Sequence, residues 1–166
     1  MADSAGILSA VAVGAPWAAA IVTAASGRQA RVIGFAASLL SASASALLLH
    51  AAPAGASFGE ALMVLFSCLA VLATLVLPKR DCSPGTMAGI LFVLGSTLLA
   101  YSTENLAVLL LAWILTTIPF FLKRLFAART WRPRLGLLLS SVALALAIGL
   151  IAANGHGVAI DELKGS

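Results

Sequence analysis

The side chains that could do chemistry in this chain are few, and most stand at the ends of its apolar runs. His50 closes the second run beside Pro53 and Gly55. A histidine at that depth could relay protons or bind a quinone headgroup, or simply cap the membrane interface. Its nearest acid in sequence is Glu60. Cys68 lies inside the third run and Cys82 in the turn KRDCSPG, about half a membrane thickness apart, so a disulfide is not expected. Neither cysteine belongs to a C-x-x-C or has a histidine nearby, and no metal site follows. The runs contain no Ser/His/Asp, H-E-x-x-H or paired-acid constellation. No catalytic residue, cofactor or metal is therefore expected. What remains inside is hydroxyls, from Ser41, Ser43, Ser45 and Ser67 through Thr74, Ser96 and Thr97 to Thr116, Thr117, Ser140 and Ser141. Hydroxyls can hold water or satisfy a helix kink, but a proton or ion path through hydrocarbon needs titratable or coordinating groups at depth. None stands at the middle of a run.

The elements carrying these residues follow from composition. The 166 residues are 61% hydrophobic and 10% charged, with a mean hydropathy of +1.08. A water-facing surface needs more charge than that, so the chain reads as an integral membrane protein. A spanning helix takes roughly 20 apolar residues, and the charges cut the sequence into segments at about 5–26, 32–51, 58–78, 86–102, 105–122 and 135–153. A closed barrel is the other backbone solution in lipid, but its alternating pattern is absent. Six transmembrane helices in a single membrane domain over 1–166 are expected. Met1–Gly6 carries Asp3 and no base, unlike a cleavable leader, so it reads as the start of a retained helix.

The charges also predict orientation. Arg28 and Arg31 lie between helices one and two, Lys79 and Arg80 between three and four, and Lys123, Arg124, Arg129, Arg132 and Arg134 between five and six. Among the ten basic residues only Lys164 falls elsewhere, while Asp3, Glu60, Glu104, Asp161 and Glu162 take the opposite side and Asp81 alone joins the bases. The positive-inside rule makes the basic loops cytoplasmic and both termini external. A net charge of +4 distributed this way is a topology signal and does not predict nucleic-acid binding. In KRLFAARTWRPR, the residues Arg129, Trp131 and Arg132 form a candidate interface for anionic lipid or a peripheral subunit.

Within the helices, Pro16 frees a carbonyl and predicts a kink. In helix two, Ser38, Ala42 and Ala46 form one row of small residues, with Ser41 and Ser45 beside it, suited to close packing. Glu60 opens helix three, where a carboxylate suits the positive helix end. Gly85 and Gly89 make a similar row in helix four, and Tyr101 is placed at the outer interface. The turn STEN predicts a tight hairpin of helices four and five.

The stretch ENLAVLLLAWILTTIPFFLKR, residues 104–124, resembles the fifth helix of the antiporter-like subunits of NADH-quinone oxidoreductase, membrane-bound hydrogenases and inorganic-carbon uptake complexes. In that family the helix reads N-L, four or five apolar residues, W-E-L, two small or polar residues, an apolar residue and P. Asn105, Leu106, Trp113, Leu115 and Pro119 fall in register, but Ile114 stands where the family has the glutamate of its proton path. The resemblance covers 79–122 by motif and all six spans by helix count. It implies a truncated relative holding the first six helices, without the lysines of helices seven and eight. The expectation is therefore an accessory subunit that does not conduct protons by itself, in a respiratory-type complex of the bacterial inner membrane. Its partners would be other integral membrane subunits and lipid, and the enzyme activity, if any, would belong to the complex. The alternative is a small homodimeric transporter, with substrate between helices two, four and five lined by serine, threonine and Trp113.

Overall fold

The computed structural model describes residues 2–51, 58–78, 80–122 and 132–153. These form six α-helices: α1 (Ala2–Ala25), α2 (Ala30–Ala51), α3 (Phe58–Val76), α4 (Pro84–Ser102), α5 (Leu106–Leu122) and α6 (Arg132–Ala153), with a 3₁₀ turn at Gly27–Gln29. Five of them are long and apolar enough to cross a membrane, while the apolar part of the remaining helix is the shorter Leu106–Pro119. The class is that of a multi-pass membrane protein.

The helix ends follow local chemistry more closely than the charge boundaries do. α1 stops where Gly27 takes a φ of +53°, the left-handed conformation that glycine supplies past a helix C-terminus. α3 ends at Val76 rather than Pro78, because the residue before a proline is pushed out of the helical region. α4 begins at Pro84, two residues earlier than expected. Ser83 caps it, its Oγ accepting from the Thr86 backbone N–H at 3.1 Å. Pro84 then occupies the first helical position, where a missing N–H costs nothing.

By packing, the chain forms two compact units, Met1–Ser102 and Thr103–Ser166. In the first, α1 packs on α2 and α4, and α3 packs on α2 and α4, closing a ring of four helices with a short α2–α4 diagonal. Short connections make neighbours in this ring antiparallel. Across this diagonal Gly34 of α2 receives the side chain of Met87 of α4: a Cβ at Gly34 would lie 2.6 Å from Met87 Cε. Two buried clusters run through the ring, one of Ala12, Ala44, Met63, Ala70, Leu94 and Leu98 and one of Ala20, Ala37 and Leu91.

On α2, and on α3 except at Met63, the size pattern is inverted relative to a water-soluble bundle. Ser38, Ser41, Ser45, Ser67, Thr74 and Ser96 are buried, whereas Leu39, Leu40, Leu47, Leu65, Leu69 and Leu72 are exposed. In lipid, large apolar side chains gain nothing by leaving the tails, so close backbone approach and hydrogen bonds drive helix association instead. The seam of α2 is Gly34, Ser38, Ser41 and Ser45, with Ala42 half-buried and Ala46 exposed. The expected row Ser38–Ala42–Ala46 is thus replaced after its first member, because a four-residue step drifts around a helix that turns every 3.6 residues.

The second unit contains the α5–α6 pair. Asn105 starts α5, its Oδ1 accepting the Ala107 backbone N–H at 2.8 Å. The loop 123–131 and the tail 154–166 lie outside the described residues.

Candidate functional site

Two places in the molecule concentrate polar atoms inside apolar helices: the hydroxyl seam of the four-helix unit and the proline turn of α5. At the first, Pro16 sits within α1. Lacking an N–H, it cannot bond the carbonyl four residues earlier, which belongs to Ala12. The Ser41 hydroxyl on α2 donates to that carbonyl at 2.5 Å. The proline and the hydroxyl are therefore one device, since a backbone acceptor opened by one helix is closed by its neighbour. One turn further along α2, the Ser45 and Ser67 hydroxyls meet at 3.4 Å and tie α2 to α3.

Beside Pro16, Trp17 lays its indole on α4. It stacks on Phe92 with ring centroids 6.0 Å apart and planes inclined by 12°. Its edge lies directly over Gly95, so close that any Cβ there would collide with the indole Cδ1 and Nε1. A glycine at this point is required by the approach rather than by backbone conformation. The buried Trp17 Nε1 and Thr23 Oγ1 have no hydrogen-bond partner among the described residues. At the far end of the seam, the Arg31 guanidinium donates from Nη2 to the Leu75 carbonyl at 2.9 Å. That carbonyl is in the last turn of α3, where acceptors lack helical donors and a cation suits the dipole.

At the proline turn of α5, Pro119 is buried and deprives the Leu115 carbonyl of its helical donor. The neighbouring threonine hydroxyls turn elsewhere. Thr116 donates to Trp113 O at 2.6 Å and Thr117 to Ile114 O at 2.7 Å. A threonine side chain reaches the carbonyls three or four residues behind it, and Leu115 is only one or two back.

Most of the remaining inner hydroxyls follow the same local rule. Ser43, Ser96 and Thr97 each donate to the carbonyl four residues earlier, at 2.9, 2.9 and 2.8 Å. Thr74 bonds Val71 O at 2.8 Å, and Ser140 and Ser141 share Leu137 O at 2.8 and 3.0 Å. Such bonds satisfy each hydroxyl hydrogen within its own helix. Among the described residues no group of three or more histidines, cysteines or acids could hold a metal.

No family model, curated protein or solved structure matches the chain. The site therefore has to be read from its own residues.

The motif positions do not converge. Asn105 is the N-cap of α5, while Trp113 and Ile114 are each 40% exposed and Pro119 is buried. From Asn105 to Pro119 the helix advances about 21 Å at its normal rise, so these residues share a helix rather than a pocket. Of the candidate interface, Arg129 and Trp131 lie outside the described residues, and Arg132 is described only as the first residue of α6. His50, in the last turn of α2, is exposed. Cys68 is exposed and Cys82 half-buried, both as free thiols. Tyr101 stacks on Phe66 at 5.3 Å and so joins α4 to α3.

The sequence reading missed the Ser41–Ala12 and Arg31–Leu75 bonds. The first left a signal, because Pro16 marks the Ala12 carbonyl as an open acceptor. The second left only a basic residue in a turn, which topology already explained.

Proposed function

We propose that this chain is an accessory membrane subunit of a respiratory-type multisubunit complex in the bacterial inner membrane, and that it does not conduct protons by itself. It is a six-span protein with both termini external. In this reading α5 is the counterpart of the fifth helix of the antiporter-like subunits, with Ile114 in place of the proton-path glutamate. The chain brings no catalytic residue of its own, and redox chemistry belongs to its partners.

One observation carries the reading. Apart from the links made by Ser41, Ser45 and Ser67, the inner hydroxyls that form the hydrogen bonds described above bond carbonyls of their own helices. The three exceptions tie helices together. Polar atoms inside the spans thus serve packing, and no Asp, Glu, Lys, Arg or His stands among them at mid-helix. A scaffold needs such an interior, and a pump needs an ionisable one.

Native purification of a tagged chain tests the assignment. Recovery together with larger integral membrane proteins is the expected result. Recovery of a monodisperse chain without partners, still fully folded, contradicts the accessory role.

A further inference from the structure

We propose that the end of the four-helix unit carrying Arg31 is a binding site for the phosphate of an anionic membrane lipid. The inference rests on the membrane placement of the helices and not on the accessory role.

Arg31 is the second residue of α2, at the edge of a 22-residue apolar span. A side chain in the first turn of such a span stands at the depth of lipid headgroups, where the abundant anion is a phosphodiester. The Nη2–Leu75 bond of 2.9 Å anchors the guanidinium against the end of α3 and uses one of its five N–H donors. The other donors make no hydrogen bond among the described residues. A guanidinium already held in place loses less side-chain entropy on binding, and its planar fork matches two phosphate oxygens.

The surroundings favour an anion. Arg28 lies in the preceding 3₁₀ turn and Arg80 in the turn after α3, its side chain 90% exposed. The one acid described at this end, Asp81, approaches Arg80 Nε at 3.7 Å in an exposed pair that holds its partner weakly. A soluble polyanion would be drawn to the same charges from water. The position of Arg31 at the edge of an apolar span instead favours a ligand whose phosphate is fixed at the membrane surface.

The test is the thermal unfolding of the purified chain in mixed micelles containing phosphatidylcholine, with phosphatidylglycerol or inorganic phosphate added at equal phosphorus. Phosphatidylglycerol is expected to raise the unfolding temperature and inorganic phosphate to leave it unchanged. Arg31→Gln lowers the temperature without lipid, because the α3 end loses its donor. The diagnostic quantity is the increment due to phosphatidylglycerol, which should be largely lost in Arg31→Gln and kept in Arg80→Gln. If Arg31→Gln does not fold, Arg31→Lys replaces it: the charge remains, the fork is gone and the increment should shrink. An increment that survives the Arg31 substitution, or that inorganic phosphate reproduces, overturns the proposal. A chain that stays soluble and folded without detergent would instead refute the membrane placement itself.

Discussion

Two prolines stand inside apolar helices of this protein, and their surroundings differ. Pro16 of α1 opens the carbonyl of Ala12, and Ser41 of α2 closes it from a neighbouring helix. Pro119 of α5 has two threonines within three residues, yet both bond Trp113 and Ile114 carbonyls in their own helix. The first arrangement spends a hydroxyl on joining helices, the second on local backbone. A proline thus contributes to the bundle only where a neighbouring hydroxyl can reach the acceptor it exposes.

The contrast can be broken at several points. The largest effect is expected at Gly95. Valine there drives its side chain into the Trp17 indole and should destabilise the four-helix unit by about 3 kcal/mol, read as loss of helicity on titration with denaturing detergent. Trp17→Ala in the same chain should recover part of that loss, since it removes the colliding ring. Ser41→Ala leaves the Ala12 carbonyl buried without its donor and should cost about 1.5 kcal/mol. Pro16→Ala sharpens the comparison by restoring an N–H to α1, so the cost of Ser41→Ala should shrink in that background. Equal costs in both backgrounds would show that the serine does not serve the proline. Asn105→Ala removes the α5 cap and should cost about 1 kcal/mol, visible as faster amide exchange in the first turn of α5. Thr117→Val should change stability by no more than about 0.5 kcal/mol, because its hydroxyl joins no second helix.

How much of this was legible in the sequence depended on how far each signal reached. The apolar runs and their charged boundaries marked the helices, because lipid forces the backbone to satisfy itself within each segment. The Ser83–Pro84 cap and the stop before Pro78 are also local signals. The hydroxyl seam was visible in part: the row Ser41–Ser45 is buried as a packing row should be, whereas Ala42 and Ala46 of the row beside it are half-buried and exposed. Every face of α2 carries small residues, so deciding between Ala42 and Ser41 required the helical pitch. Which helix receives a serine is a tertiary fact, and the Ser41–Ala12 pair spans 29 positions. The Trp17–Gly95 contact is likewise long-range, and neither residue alone predicts the other. At the candidate site the motif on α5 marked a resemblance, and the geometry adds that Asn105 has a sufficient local role as a cap.

The account rests on an interior that offers an ion no titratable group to step onto. Proton flux into liposomes holding the purified chain, driven by an imposed membrane potential, tests this most directly. The account predicts a rate equal to that of protein-free liposomes, both for the natural chain and for Ile114→Glu, which supplies an acid but no lysine to pair with it. A potential-driven flux above that leak from the natural chain would contradict it.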